Sequence, residues 1–100
     1  MNIEELERMV IKWAEDRNLF KESNLFAQLE KLEEEFNELH DAIHTENNHL
    51  AIDAIGDMMV VMTMIAKFYG VNLFTCYATA YVAIKDRKGK MVNGVFVKEQ

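Results

Sequence analysis

The sequence predicts an all-α fold, an antiparallel bundle of about four helices followed by a short basic C-terminal tail or hairpin. The chain of 100 residues has no proline and only four glycines, and both counts favour helices over a turn-rich β architecture. Hydrophobic residues make up 50% of it, which excludes a disordered protein. A chain this short forms one domain, residues 1–100, and buries a modest share of its surface. We therefore expect homo-oligomerisation to complete its core.

Hydrophobic residues recur at helical spacing in four segments. Before the second segment, Ser23 or Asn24 supplies a helix cap, and Asn72 can cap the fourth. Within the third segment, residues 58–66 are apolar nearly all round, which predicts a helix surrounded by helices of its own chain or of a partner. In chain order the segments cover about residues 3–17, 25–44, 50–69 and 72–84.

The remaining residues, 85–100, read KDRKGKMVNGVFVKEQ. Residues 85–90 are strongly basic. An Asn-Gly pair at 93–94 then lies between short β-forming stretches, which is the strongest local signal for a hairpin. An isolated hairpin is marginal in water, so we expect this one to dock on something or to be mobile.

The distribution of charge limits the classes of partner. The net charge is −6, with fifteen of the seventeen acidic residues at or before Asp57 and five of the eleven basic residues between Lys85 and Lys98. An acidic body argues against nucleic acid as a partner. Together with a basic tail it suits a metal site and a phosphate-bearing ligand, although a merely soluble acidic surface has the same pattern.

The sequence also predicts a cytoplasmic protein with no membrane partner. Its acidic N-terminus is unlike a signal peptide, and the single cysteine, Cys76, fits a reducing compartment. The longest apolar run is too short, and too flanked by acids, to span a membrane.

Two pairs of carboxylates lie on neighbouring predicted helices. Glu35 and Glu38 are three residues apart beside the apolar seam of the second helix, and Asp53 and Asp57 are four apart on the third. The short connection predicts antiparallel packing, which allows the pairs to meet. Facing carboxylates raise each other's pKa or bind a cation, and Mg²⁺ or Mn²⁺ prefers oxygen ligands. A solvated glutamate-rich face, with Asp53 favoured by the helix dipole, is the equal alternative.

The segments EEFNEL and DAIGDMM, some fifteen residues apart, resemble the MazG-like family of all-α nucleoside triphosphate pyrophosphohydrolases, and most closely its small phage-type members. The signature of that family is Glu-Glu-x-x-Glu on one helix and Glu-x-x-Asp on the next. The resemblance implies that Glu35, Glu38 and Asp57 are metal ligands. It places Glu34 at a supporting or ligand position.

The sequence departs from this signature at one position. The acid expected three residues before Asp57 is replaced by Ala54, and the nearest acid is Asp53, four residues before. Residues four apart face nearly the same way on a helix, so Asp53 can substitute as the fourth metal ligand.

The resemblance implies Mg²⁺-dependent hydrolysis of a ribo- or deoxyribonucleoside triphosphate between the α and β phosphates, with Mn²⁺ as a substitute cation. The products are the monophosphate and pyrophosphate. Glu34 or Glu35 is the general base that orients the attacking water, and the sequence does not choose between them. Phosphate-binding candidates lie on the tail, for which a purely solubilising role is the alternative: Lys85, Arg87, Lys88, Lys90 and Asn93.

We expect a homodimer or homotetramer in the cytoplasm of a bacterium or of a phage-infected bacterium. Two other enzymes fit the same residues, a dUTPase or dCTPase relative and a phosphoribosyl-ATP pyrophosphatase. A non-catalytic helical module that binds a nucleotide or a partner, having lost ligand geometry at Ala54, is the alternative of a different class. Metal-dependent release of pyrophosphate separates the enzymes from the module.

Overall fold

The computed structural model describes all 100 residues and is helical apart from one two-stranded antiparallel sheet. The all-α prediction is confirmed. The single-turn helix α2, which fills the break between the first two predicted segments, was not predicted. The elements are α1 (Ile3–Asp16), α2 (Leu19–Glu22), α3 (Leu25–His44), α4 (Asn48–Phe68), α5 (Leu73–Ile84), β1 (Gly89–Val92) and β2 (Val95–Lys98).

Asparagine side chains begin all four long helices. The side-chain oxygens of Asn2, Asn24, Asn47 and Asn72 each accept a hydrogen bond from the backbone N–H three residues further on. Each bond satisfies one of the N–H groups that a helix start leaves without a partner. Of the two caps predicted before α3, Asn24 rather than Ser23 fills the role.

Helices α3 and α4 form the main packing unit of the fold. Residues 45–47 connect them, so the two helices run antiparallel. Ala42 on α3 and Ala54 on α4 are both buried, and such small side chains allow two helix backbones to approach closely. Further along α4, Val61 and Met64 are also buried, and α1 packs against α4. The core therefore lies along α4.

A large part of the apolar surface stays exposed. Only nine residues are buried, and the accessible surface is 8001 Å². A folded monomer of 11.6 kDa exposes about 5,800 Å². The radius of gyration is 15.9 Å, against about 13 Å for a compact chain of this length. The excess surface, roughly 2,200 Å², matches in size what obligate subunits bury.

Helix α4 is long and apolar enough to cross a membrane by length and composition alone, and 28% of its most apolar stretch is buried. The uninterrupted apolar run is shorter than the whole helix, which has 21 residues. Core helices of soluble proteins meet the same criterion. Asp53 and Asp57 in its N-terminal half are costly groups in hydrocarbon. The absence of a membrane partner stays a prediction.

Strands β1 and β2 form the predicted hairpin. Their register runs from the pair Gly89–Lys98 to the pair Val92–Val95. Asn93 and Gly94 form the turn with φ angles of 49° and 86°, and two positive φ angles define the type I′ turn that suits a two-residue hairpin. Every strand residue is exposed, and each strand packs extensively only on the other.

Candidate metal centre

Three carboxylates from α3 and α4 come together in the structure. One side-chain oxygen from each of Glu35, Glu38 and Asp57 lies within 4.8 Å of the other two. Glu35 and Glu38 share a surface of α3 because residues three apart are neighbours on a helix. The antiparallel packing of α4 brings Asp57 to that surface.

Glu35 is the buried member of this group, with 5% of its surface exposed. Its Oε1 lies 3.3 Å from the Lys31 ammonium, while its Oε2 is the one buried side-chain oxygen or nitrogen without a hydrogen-bond partner. An unpartnered buried carboxylate oxygen is costly, and a bound cation removes that cost. Three carboxylates and no sulfur or imidazole ligand suit a hard divalent cation such as Mg²⁺ or Mn²⁺. The residues present therefore fit the metal.

The charges of the group act on one another. The neighbouring Glu35 carboxylate, through a hydrogen bond and its charge, raises the pKa of Glu38 above 4.5. The same carboxylate raises the pKa of Lys31 above 10.5 by accepting a hydrogen bond from its ammonium group. Lys31 also lies 3.5 Å from an oxygen of Glu34. Lys31 therefore places one positive charge beside these carboxylates.

Lys31 was missed by the sequence analysis, although a signal was available. It precedes Glu35 by four residues and Glu34 by three, and both spacings place opposite charges side by side on a helix. Glu34 lies outside the group of three carboxylates, with 60% of its side chain exposed, and connects to the group through this lysine.

Asp53 does not join the three carboxylates. Its side chain is 57% exposed, and one of its oxygens lies 3.5 Å from Nε2 of His49. Ala54, where the signature expects an acid, is 2% exposed. A glutamate at that position would bring another carboxylate into the interior, so alanine there is consistent with the close packing of this part of α4.

The predicted phosphate-binding residues lie elsewhere in the chain. They follow α5 on the exposed hairpin and its connection, and the hairpin does not pack extensively on α3 or α4. Within one chain the structure does not bring them to the carboxylates. These residues are Lys85, Arg87, Lys88, Lys90 and Asn93.

Glu7 is a second buried carboxylate, and it holds α5 to α1. Its two oxygens accept hydrogen bonds from the backbone N–H groups of Leu73 at 2.6 Å and Phe74 at 3.2 Å. The side chain of Asn72 accepts a hydrogen bond from the next N–H group, that of Thr75, so three successive N–H groups at the start of α5 have acceptors. No local pattern in the sequence predicts this contact, because the partners are 66 residues apart.

Comparison with known proteins supports a relationship to pyrophosphohydrolases. The family model described as phosphoribosyl-ATP pyrophosphohydrolase matches residues 3–90. An uncharacterised 18.2 kDa protein from the rep-hol intergenic region of Haemophilus phage HP1 is 39% identical over 66 residues. That match covers 66% of this chain but 40% of the phage protein. No solved structure matches the chain.

Proposed function

Because the chain belongs to the phosphoribosyl-ATP pyrophosphohydrolase family, we propose that it is a divalent-metal-dependent nucleotide pyrophosphohydrolase. Its substrate is a ribo- or deoxyribonucleoside triphosphate, which it converts to the monophosphate and pyrophosphate. One observation carries the proposal. Glu35, Glu38 and Asp57 place carboxylate oxygens within 4.8 Å of one another, and a buried oxygen of Glu35 has no partner.

These three residues would hold the metal ion. When bound, a divalent cation supplies charge that offsets the charge developing on the phosphate oxygens. Glu35 already uses one oxygen on Lys31 and has the other free for the metal, which leaves Glu34 as the residue to orient the attacking water. Glu34 accepts a proton from this water as the water oxygen bonds to the α phosphorus. The bond between that phosphorus and the bridging oxygen breaks, and pyrophosphate leaves.

Lys31 has a role in the same proposal. It contacts both Glu34 and Glu35 without being a metal ligand. Its ammonium group holds Glu34 beside the carboxylate group and offsets part of the local negative charge in the metal-free protein. We expect it to position Glu34 for the water.

The working form of the enzyme is a homodimer or homotetramer. Support comes from the excess exposed surface of roughly 2,200 Å², which is the size of an obligate interface. The similarity to a phage protein supports the cytoplasm of a bacterium or of an infected bacterium as its location.

A second substrate is favoured by the family match. Phosphoribosyl-ATP, the substrate in the family's description, has the same triphosphate group but a larger base portion. The three-carboxylate group serves either substrate, since the bond cleaved is the same. The substrate panel therefore includes phosphoribosyl-ATP.

A screen for pyrophosphate release tests the proposal. The protein is incubated with each common nucleoside triphosphate, its deoxy counterpart and phosphoribosyl-ATP, with Mg²⁺ or Mn²⁺ or with a chelator. We expect metal-dependent release with at least one substrate. The Asp57→Asn variant should lose it, and Asp16→Asn, the same change at an exposed site on α1, should keep it. Wild-type protein that releases pyrophosphate from none of these substrates contradicts the proposal.

A further inference from the structure

Residues 73–100, which comprise α5 and the hairpin, form a C-terminal arm that projects from the helical body of residues 1–72. Helix α5 contains no charged residue, yet all of its residues after Leu73 are exposed. Tyr77 is 74% exposed and Val82 is 64% exposed. An apolar helix in water is stable only when other helices cover it. Its own chain leaves most of the arm uncovered, so the arm needs a partner from another molecule.

The apolar side chains of the hairpin at the end of the arm are also uncovered. Met91 and Phe96 face each other across the strands and are 65% and 49% exposed. A lone two-stranded hairpin is marginal in water without a surface to pack against.

Charge identifies the kind of surface that fits the arm. The arm has five basic and two acidic residues, whereas the body has six basic and fifteen acidic residues. Lys88, Lys90 and Lys98 line one open groove of about 380 Å³ on the hairpin, together with Glu99. A basic arm and an acidic body of the same chain are electrostatically complementary.

The carboxylate site, in contrast, lacks positive charge from its own chain. Lys31 is the one basic side chain paired with its carboxylates, and that lysine is already shared between Glu34 and Glu35. A triphosphate needs further cations, since phosphate recognition depends on arginine and lysine contacts. The arm has such cations, but the part of it that carries them, residues 85–98, does not pack extensively on its own α3 or α4.

We propose that the arm of one protomer packs on the helical body of a second copy of the chain and places Lys88 and Lys90 beside that copy's carboxylate site. Each active site then combines the metal ligands of one chain with the phosphate-binding lysines of the other. The exposed surface of α5 and of the hairpin is covered by the same contact. The catalytic part of this inference rests on the proposed function, whereas the packing of the arm does not.

Activity of mixed oligomers tests the catalytic part. Asp57→Asn removes a metal ligand and keeps the arm, while Lys88→Ala with Lys90→Ala removes the arm's cations and keeps the carboxylates. Each variant alone should lose more than tenfold in kcat/KM, or at least ~1.4 kcal/mol. Hetero-oligomers of the two, purified through different tags, should regain about half of the wild-type activity, because half of the sites then hold all parts. Hetero-oligomers no more active than the two variants alone would overturn the proposal.

A matched control removes the same charge from the body. Lys12→Ala with Lys21→Ala changes two exposed lysines outside the arm and the site, and its activity should stay within about twofold of wild type. A loss as large as that of the arm variant would show that total charge, not the arm, is responsible.

Crosslinking tests the packing of the arm without any need for turnover. A carbodiimide joins a lysine to a carboxylate only where the two groups touch, so a mixture of isotopically heavy and light protein reports which chain supplies each group. We expect Lys88 or Lys90 linked to acidic residues of α3 or α4, with about half of the linked pairs mixed between heavy and light chains. Links within single chains only, or no links to these helices, would refute the exchange. Mixed links in a protein that hydrolyses no nucleotide would refute the proposed function and retain the exchange.

Discussion

Metal binding should change the stability of this protein in a way that depends on Asp57. In the metal-free protein its carboxylate lies within 4.8 Å of oxygens of Glu35 and Glu38. Asp57→Asn keeps the size of the side chain but removes the charge that a hard cation needs. The variant should therefore melt at a higher temperature than wild type without metal, because repulsion is relieved. It should melt at a lower temperature than wild type with metal, because the ligand is lost.

The size of the effect follows from mass action. A cation that binds only the folded state stabilises it by about 2.7 kcal/mol when its free concentration is about a hundred times the dissociation constant. For a chain of 100 residues, 1 kcal/mol shifts the melting temperature by about 4–8 °C. Wild type at saturating Mg²⁺ should therefore gain roughly 10–20 °C. The variant should gain much less.

Thermal melts followed by circular dichroism, with Mg²⁺ or Mn²⁺ titrated at one protein concentration, measure these shifts. Asp16→Asn is the matched control, since it makes the same change at an exposed pair on α1 and should respond to metal as wild type does. A melting temperature unmoved by millimolar Mg²⁺ and Mn²⁺, or an equal gain in wild type and Asp57→Asn, would refute the reasoning.

Three further predictions concern single side chains. The metal-free protein should become more stable as the pH falls from neutral through the raised pKa of Glu38 towards 4.5, because Glu38 then binds more protons in the folded state than in the unfolded chain. Thermal melts across this pH range check the prediction, and a loss of stability there would contradict it. Asp53→Asn should keep turnover within about twofold of wild type, whereas Asp57→Asn should lose more than tenfold. A steady-state assay of pyrophosphate release measures both, and a tenfold loss in Asp53→Asn would make Asp53 a metal ligand. Glu7→Ala should lower the free energy of unfolding by about 3 kcal/mol and Glu7→Gln by about 1 kcal/mol, since glutamine keeps one acceptor for the start of α5. Urea denaturation at fixed protein concentration measures both losses, and equal, small losses would disprove the capping role of Glu7.

Local patterns predicted much of the fold. The apolar periodicity placed α3 because that helix packs along one face, and the nearly uninterrupted apolar stretch placed α4 because other helices surround it. Asn93 with Gly94 predicted the hairpin because that pair favours two positive φ angles. Asn24 was one of two caps that the sequence allowed. Each of these features depends on residues within a few positions of one another.

The candidate site was less predictable, because it depends on distances between helices. Asp53 and Asp57 are equivalent by helical spacing, yet four residues also advance the helix by about 6 Å. Asp53 is thus one turn nearer to the connection between α3 and α4, beside His49 instead of the carboxylates of α3. No pattern in the sequence gives the point along α4 at which Glu35 meets it.

The contact between Glu7 and the start of α5 has a consequence for how the protein is made. It joins residues 66 positions apart, whereas α3 and α4 are joined by three residues. Contacts that close a long loop form later than local ones, so the α3–α4 hairpin can assemble as it emerges from the ribosome. The three carboxylates can then meet while α5 and the hairpin are still inside the ribosome. During synthesis the nascent chain thus passes through a stage in which its acidic centre is outside the ribosome and its basic residues 85–98 are not.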